Sequence, residues 1–90
     1  MIDHTITVTH QVGLHARPAA TFVKKAAEYQ SAITIENLTR GGDAMNAKSV
    51  VSVFKAAVAQ GHDVKIVADG SDEREAMDAL VGLIESNFGE

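Results

Sequence analysis

The chain opens on an alternation. Ile2, His4, Ile6 and Val8 fall on one face, and Asp3, Thr5, Thr7 and Thr9 on the other. A period of two marks a strand with one buried face, and the β-branched content suits a pleated surface. On this reading His4 packs at a strand end on the apolar face. Past a loop at 10–14 the period changes. Ala19, Phe22, Val23, Ala26 and Ala27 recur at i, i+3, i+4, i+7 and i+8, which predicts an amphipathic helix from residue 16 to about 29, with Lys24 and Lys25 in its later, outer turns. Alternation returns over 32–38, where Ile33 and Ile35 share a face. Gly41-Gly42 then marks a hairpin turn, and Ala44 and Met45 make a short return strand.

Residues 46–49 offer capping chemistry for a second helical run. Val50, Val51, Val53, Phe54, Ala57 and Val58 follow at helical spacing, and Gly61 can end it. Residues 62–68 form a third clear strand, with Val64 and Ile66 alternating against Lys65 and Val67. Asp69-Gly70 is a turn. Ser71 or Asp72 caps a last helix, with Asp72, Glu73 and Glu75 placed to complement its dipole. Ala76, Met77, Leu80, Val81, Ile84 and Phe88 form its buried stripe. The order β-α-β-β-α-β-α, with short strands and a tight hairpin, predicts an α+β fold. Its sheet is mainly antiparallel, with helices on one face in a split βαβ arrangement.

Composition narrows the function. Ninety residues make one domain, spanning 1–90, with one modest core. Only 4% of the chain is aromatic, so that core is aliphatic. There is no cysteine, which removes disulfides, thiolate catalysis and cysteine-held metals and fits a reducing cytoplasm. No apolar run approaches a membrane span, so no direct membrane insertion is expected. A net charge of −4 argues against general nucleic-acid binding, though it leaves room for one local basic spot. His4, His10 and His62 make no ligand pair with a carboxylate at helical spacing. The acids Asp69, Asp72, Glu73 and Glu75 lack a calcium-loop pattern and read as turn and helix-start chemistry. His10 and His62 read as surface residues at element ends. No metal is expected.

One stretch does not fit stability alone. Gly13-Leu14-His15-Ala16-Arg17-Pro18-Ala19 places a histidine, an arginine and the chain's single proline where the first helix begins. Proline suits a first turn, because its missing N–H has no use there. The N–H groups of Ala16 and Arg17 then have no intrahelical partner and sit at the positive end of the dipole, a ready anion site. Arg17 adds a permanent charge whose fork matches phosphate oxygens. Stability alone would prefer an acid there. Both dipole and guanidinium disfavour imidazolium, which favours a neutral, nucleophilic His15 near pH 7. Gly13 lets the backbone pass close to it. The residues thus give a poised histidine beside an anion site; a plain loop or capping histidine is the competing reading.

The motif Gly13 to Ala19 followed by Ala20, with Asn46-Ala47-Lys48-Ser49 later, resembles the HPr family. These are the histidine-containing phosphocarriers of the bacterial phosphoenolpyruvate-dependent phosphotransferase system. The resemblance covers essentially the whole chain. It implies an open-faced β-sandwich, with four strands covered on one face by three helices. It implies that His15 accepts a phosphoryl group from enzyme I on Nδ1 and passes it to enzyme IIA domains for sugar uptake, with Arg17 contacting the group. The protein would be a relay without substrate turnover of its own, a cytoplasmic monomer that needs no cofactor. Ser49 matches the serine that HPr kinase/phosphorylase modifies in many bacteria, which would add a transcriptional regulator to the partners. A plain helix-start serine is the alternative for Ser49. Ala20, Val50, Val51 and Phe54 match positions of the family's docking surface.

The chain departs from the family twice. Its 37–43 hairpin is about three residues longer than typical, a tolerable cost for a surface loop. Residues 50–57 replace the family's usual Met-containing stretch ending in Ser-Leu-Gly, which leaves open whether Lys55-Ala56-Ala57 extend the helix. Two other functions remain beside the phosphocarrier. One is a regulatory partner-binding domain acting through the Ser49 helix face, in a nitrogen or dihydroxyacetone kinase branch. The other is a ferredoxin-like sensor holding an anionic metabolite at the helix start.

Overall fold

The computed structural model describes residues 1–9 and 16–89. Four strands, β1 (Ile2–Thr7), β2 (Ala32–Asn37), β3 (Met45–Asn46) and β4 (Asp63–Asp69), form one sheet in the order β1-β4-β2-β3. Every neighbouring pair is antiparallel. Three helices complete the fold: α1 (Ala16–Ala27), α2 (Val50–Lys55) and α3 (Glu73–Glu85). A 3-10 turn follows at Asn87–Gly89. The architecture is the α+β open-faced sandwich expected.

The two-residue period sorts the sheet into rows. Ile2, Ala68 and Ile33 lie opposite one another; so do His4, Ile66 and Ile35, and then Ile6, Val64 and Asn37. These rows face the helices. The outer rows are polar: Thr5, Lys65 and Glu36 in one, Asp3, Val67, Thr34 and Asn46 in another. His4 occupies a core row as its sequence position implied, but it is exposed rather than packed. β1 is an edge strand, so a side chain there has a sheet neighbour on one side only.

α3 lies against β1 and β4, and α1 against α3 and α2. One aliphatic core joins them. Ala19, Phe22 and Ala26 enter it from α1, Val53 from α2, Ile33 and Ile35 from β2, Val64, Ile66 and Ala68 from β4, and Ala76, Met77, Leu80 and Ile84 from α3. Phe22, Ile35, Ile66 and Leu80 are fully buried, each contributing about 1.5–3 kcal/mol of burial relative to exposure. Of the expected α1 stripe, Val23 is half-buried and Ala27 exposed. Of the α3 stripe only Val81 is half-buried.

Three local expectations change. β3 is Met45–Asn46, one residue later than expected, because Met45 and Asn46 pair with Ile35 and Thr34. α2 takes in Lys55 and stops there, with Ala56 as its C-cap, so Ala56-Ala57 do not extend it. Ala57 turns left-handed at φ 53, six residues of chain before the β4 entry and ahead of Gly61 at φ 87. Finally, Asp72 occupies the N-cap position of α3 but makes no side-chain bond to the helix. Its carboxylate accepts the Gln30 N–H at 2.8 Å, the Ser31 N–H at 2.9 Å and the Ser31 hydroxyl. These donors hold it below the usual carboxylate range, the hydroxyl most strongly. Asp72 therefore ties the α1–β2 connection to the start of α3. Gly70 completes this corner, since a Cβ there would lie 2.7 Å from the Ser31 Cα.

Candidate functional site

α1 begins at Ala16, as Pro18 dictates. Pro18 is buried and Ala19 fully so, which fixes the helix start against the core. Arg17 between them is exposed. No acidic residue stands in this first turn. No carboxylate among the described residues pairs with the Arg17 guanidinium. The N–H groups of Ala16 and Arg17 end the helix at its positive pole. An exposed guanidinium on such an end suits an anion with several oxygens. His15 immediately precedes Ala16 in the chain. It lies outside the described residues, as do Gly13 and the rest of 10–15, so its expected role rests on sequence.

α2 supplies the second group of expected residues. Ser49 is its N-cap, extended at φ −120 and ψ 120. The Ser49 hydroxyl accepts the Ser52 N–H at 3.3 Å and its carbonyl the Val53 N–H at 2.9 Å. Ser49 therefore has a plain capping job whatever else happens to it. Beside it, Lys48 Nζ donates to the Tyr29 carbonyl at 2.6 Å. That bond ties the approach to α2 to the chain leaving α1.

The expected docking residues are all exposed. Ala20 is exposed on α1. Val50, Val51 and Phe54 are 39%, 62% and 43% exposed, while Val53, between them in sequence, is fully buried. Five large apolar side chains are exposed among the described residues, and three belong to this six-residue helix. Such concentration sets α2 apart from the scattered exposure that is ordinary on a protein surface.

Two residues with a structural hold on α2 were missed in the sequence. Asn37, only 2% exposed, ends β2 and bonds the carbonyls that terminate α2. His62, read as a surface residue, is half-buried against Asn37. The available signal was Asn37 itself, a polar residue on the core-facing alternation of Ile33 and Ile35. Among the described residues no three His, Cys, Asp or Glu side chains gather as metal ligands. No helix among them is long and apolar enough to cross a membrane.

Residues 2–86 match a family described as the PTS HPr component phosphorylation site. A solved structure of HPr-C-His from Thermoanaerobacter tengcongensis superposes with a TM-score of 0.93 at 47% identity, covering 100% of this chain and 98% of that one. Phosphocarrier protein HPr of Xylella fastidiosa is 41% identical over 100% of this chain and 98% of its own length. An HPr-like protein Crh from Halalkalibacterium halodurans is 39% identical over 94% of this chain and 98% of its own. The chain also matches 17% of the length of a multiphosphoryl transfer protein of Haemophilus influenzae, at 38% identity.

Proposed function

The chain belongs to the HPr family of phosphocarrier proteins of the phosphotransferase system, and on that premise we propose that it relays a phosphoryl group from enzyme I to enzyme IIA domains through His15. The observation that carries this reading is the start of α1. It has no acid, an exposed arginine and a buried proline, and it directly follows the histidine in the chain. The lone pair of His15 Nδ1 attacks phosphorus as the donor leaves. The transferred group brings negative charge to a helix end that otherwise carries unbalanced positive charge. The Ala16 and Arg17 N–H groups and the Arg17 guanidinium then stabilise it. Rate acceleration comes from the partners, which hold the phosphorus in line with the ring nitrogen.

Ala20, Val50, Val51 and Phe54 form the docking surface in this scheme, small and apolar enough for brief encounters. The protein has no turnover of its own and needs no cofactor; the cytoplasm is where such a relay would work, as a monomer. Phosphate on Ser49, added by HPr kinase/phosphorylase, would place charge at the edge of the apolar patch. That would weaken docking of one partner class and favour another, such as a transcriptional regulator.

Supplying phosphoenolpyruvate and enzyme I should give an acid-labile, base-stable phosphate on this chain. A His15→Ala variant should take up none; full labelling of that variant would sink the reading. A second reading is a regulatory domain that binds partners through the Ser49 helix face. The exposure of Val50, Val51 and Phe54 and the similarity to an HPr-like Crh favour it. It requires partner binding to survive His15→Ala and to fail in Phe54→Ala.

A further inference from the structure

α2 has six residues, far too few to hold a helix by itself. Its C-terminal end lacks the usual glycine. Ala57 takes the left-handed turn at φ 53, at a cost of about 1–2 kcal/mol for a residue with a Cβ. Something outside the helix must hold that end, and the chain places a buried side-chain network there.

Asn37 Nδ2 donates to the Ala56 carbonyl at 3.0 Å and the Ala57 carbonyl at 3.4 Å. Asn37 Oδ1 accepts the Arg40 N–H at 3.0 Å, and its backbone carbonyl the Gly41 N–H at 2.9 Å. The amide orientation is thus fixed on both sides. The same Nδ2 lies 3.0 Å from His62 Nδ1, and the Ala59 N–H donates to that nitrogen at 3.1 Å. A backbone N–H can only donate, so Nδ1 must accept. The ring is the neutral tautomer with its proton on Nε2. Asn37 Nδ2 has two hydrogens, so the longer approach to the Ala57 carbonyl shares the one given to Ala56, and the other goes to His62 Nδ1.

We propose that Asn37 and His62 are positioning residues for α2. They set the pose of the exposed Val50, Val51 and Phe54 face through the hydrogen bonds that Asn37 Nδ2 gives and His62 Nδ1 accepts. Docking then depends on a pair remote in sequence from both His15 and Ser49. The proposal rests on α2 being the docking helix of the phosphoryl relay.

The test compares the full-length chain with His62→Gln, whose side-chain oxygen can accept both hydrogen bonds, and with His62→Phe, which accepts neither. Enzyme I kinetics are measured on all three at one pH. His62→Phe should raise KM by at least about fivefold, the scale of one lost neutral hydrogen bond, with kcat level, and His62→Gln should keep the wild-type KM. In amide NMR spectra the Ala59 N–H and Asn37 side-chain resonances should shift in His62→Phe and stay close to wild type in His62→Gln. A wild-type KM in folded His62→Phe, or a KM raised equally in both variants, overturns the proposal. Absence of phosphoryl transfer in the wild type would count against the relay, while the NMR comparison would still decide whether the pair holds α2.

Discussion

α1 and α3 are nearly equal in length, 12 and 13 residues, and both carry a buried apolar stripe. At their starts they differ. α3 has Glu73 and Glu75 in its first turn, and Glu73 also accepts the Gly70 N–H at 3.1 Å. That bond is the first cause holding its carboxyl below the usual range. α1 has no acid there and presents Arg17. At its other end α1 is conventional, with Lys24 and Lys25 in the last turn. The sequence therefore obeys the dipole rule at the acid-rich start of α3 and the basic end of α1, while the end of α3 carries Glu85 and no basic residue. Of the two helix starts, that of α1 alone carries net charge against the dipole. A charge placed there weakens the helix in isolation and becomes favourable when an anion arrives.

The sharpest way to break the contrast is to make α1 begin like α3. Arg17→Glu should hold or raise stability, by about 0.3–1 kcal/mol from the dipole. It should lower phosphoryl acceptance from enzyme I by roughly 10- to 100-fold, as expected for losing a charge-assisted hydrogen bond. Thermal unfolding and transfer kinetics on the same sample check both halves. A variant that loses stability and keeps its transfer rate would show that Arg17 serves the fold.

The next effect falls on the α3 side alone. Gly70→Ala forces a Cβ toward the Ser31 backbone, which cannot move as a flexible side-chain tip could. Overpacking of this kind costs about 1–3 kcal/mol. Denaturant unfolding should register that loss while labelling of His15 at a temperature well below unfolding stays unchanged. A fall in labelling would mean that the corner helps build the functional helix start as well.

The contrast also explains what the sequence could and could not reveal. The α1 start was legible because its chemistry is local: Arg17, Pro18 and the helical stripe sit within a few residues. The β2 and β4 faces were legible for the same reason, from the alternation of Ile33 with Ile35 and Val64 with Ile66. Asp72 stands at the N-cap position as its sequence implied, but the use of its carboxylate was hidden because its donors, Gln30 and Ser31, are some forty positions away. The end of α2 was hidden because Ala57 is not a residue that signals a left-handed turn, and because Asn37 and His62 meet only through the sheet. His4 faced the predicted side, but its exposure depended on strand order, which periodicity does not encode.

Ser49 gives a third helix start, held by a hydroxyl rather than by charge. Ser49→Ala removes the bond to the Ser52 N–H and should cost about 1 kcal/mol, the usual worth of a cap. Equilibrium unfolding measures it. Ser49→Asp keeps an acceptor and adds a charge favourable to the dipole, so it should recover that stability while weakening enzyme I docking. If Ser49→Asp docks as well as the wild type, charge beside the apolar patch is not regulatory.

The smallest effect belongs to Asp72 and appears as a pH dependence. Its carboxylate is held low by the Ser31 hydroxyl first, then by the Gln30 N–H, with the Ser31 N–H adding to them. A depressed folded-state value means that its contribution is complete above the ordinary carboxylate range and is lost as pH falls through the lowered value. Asp72→Asn keeps one accepting oxygen but turns an NH2 toward a backbone donor. It should lower the unfolding temperature near neutral pH and flatten its decline in acid, with transfer through His15 unaffected at either pH. An acid decline as steep as that of the wild type would place the titrating group elsewhere, with Glu73 at the same helix start the next to replace.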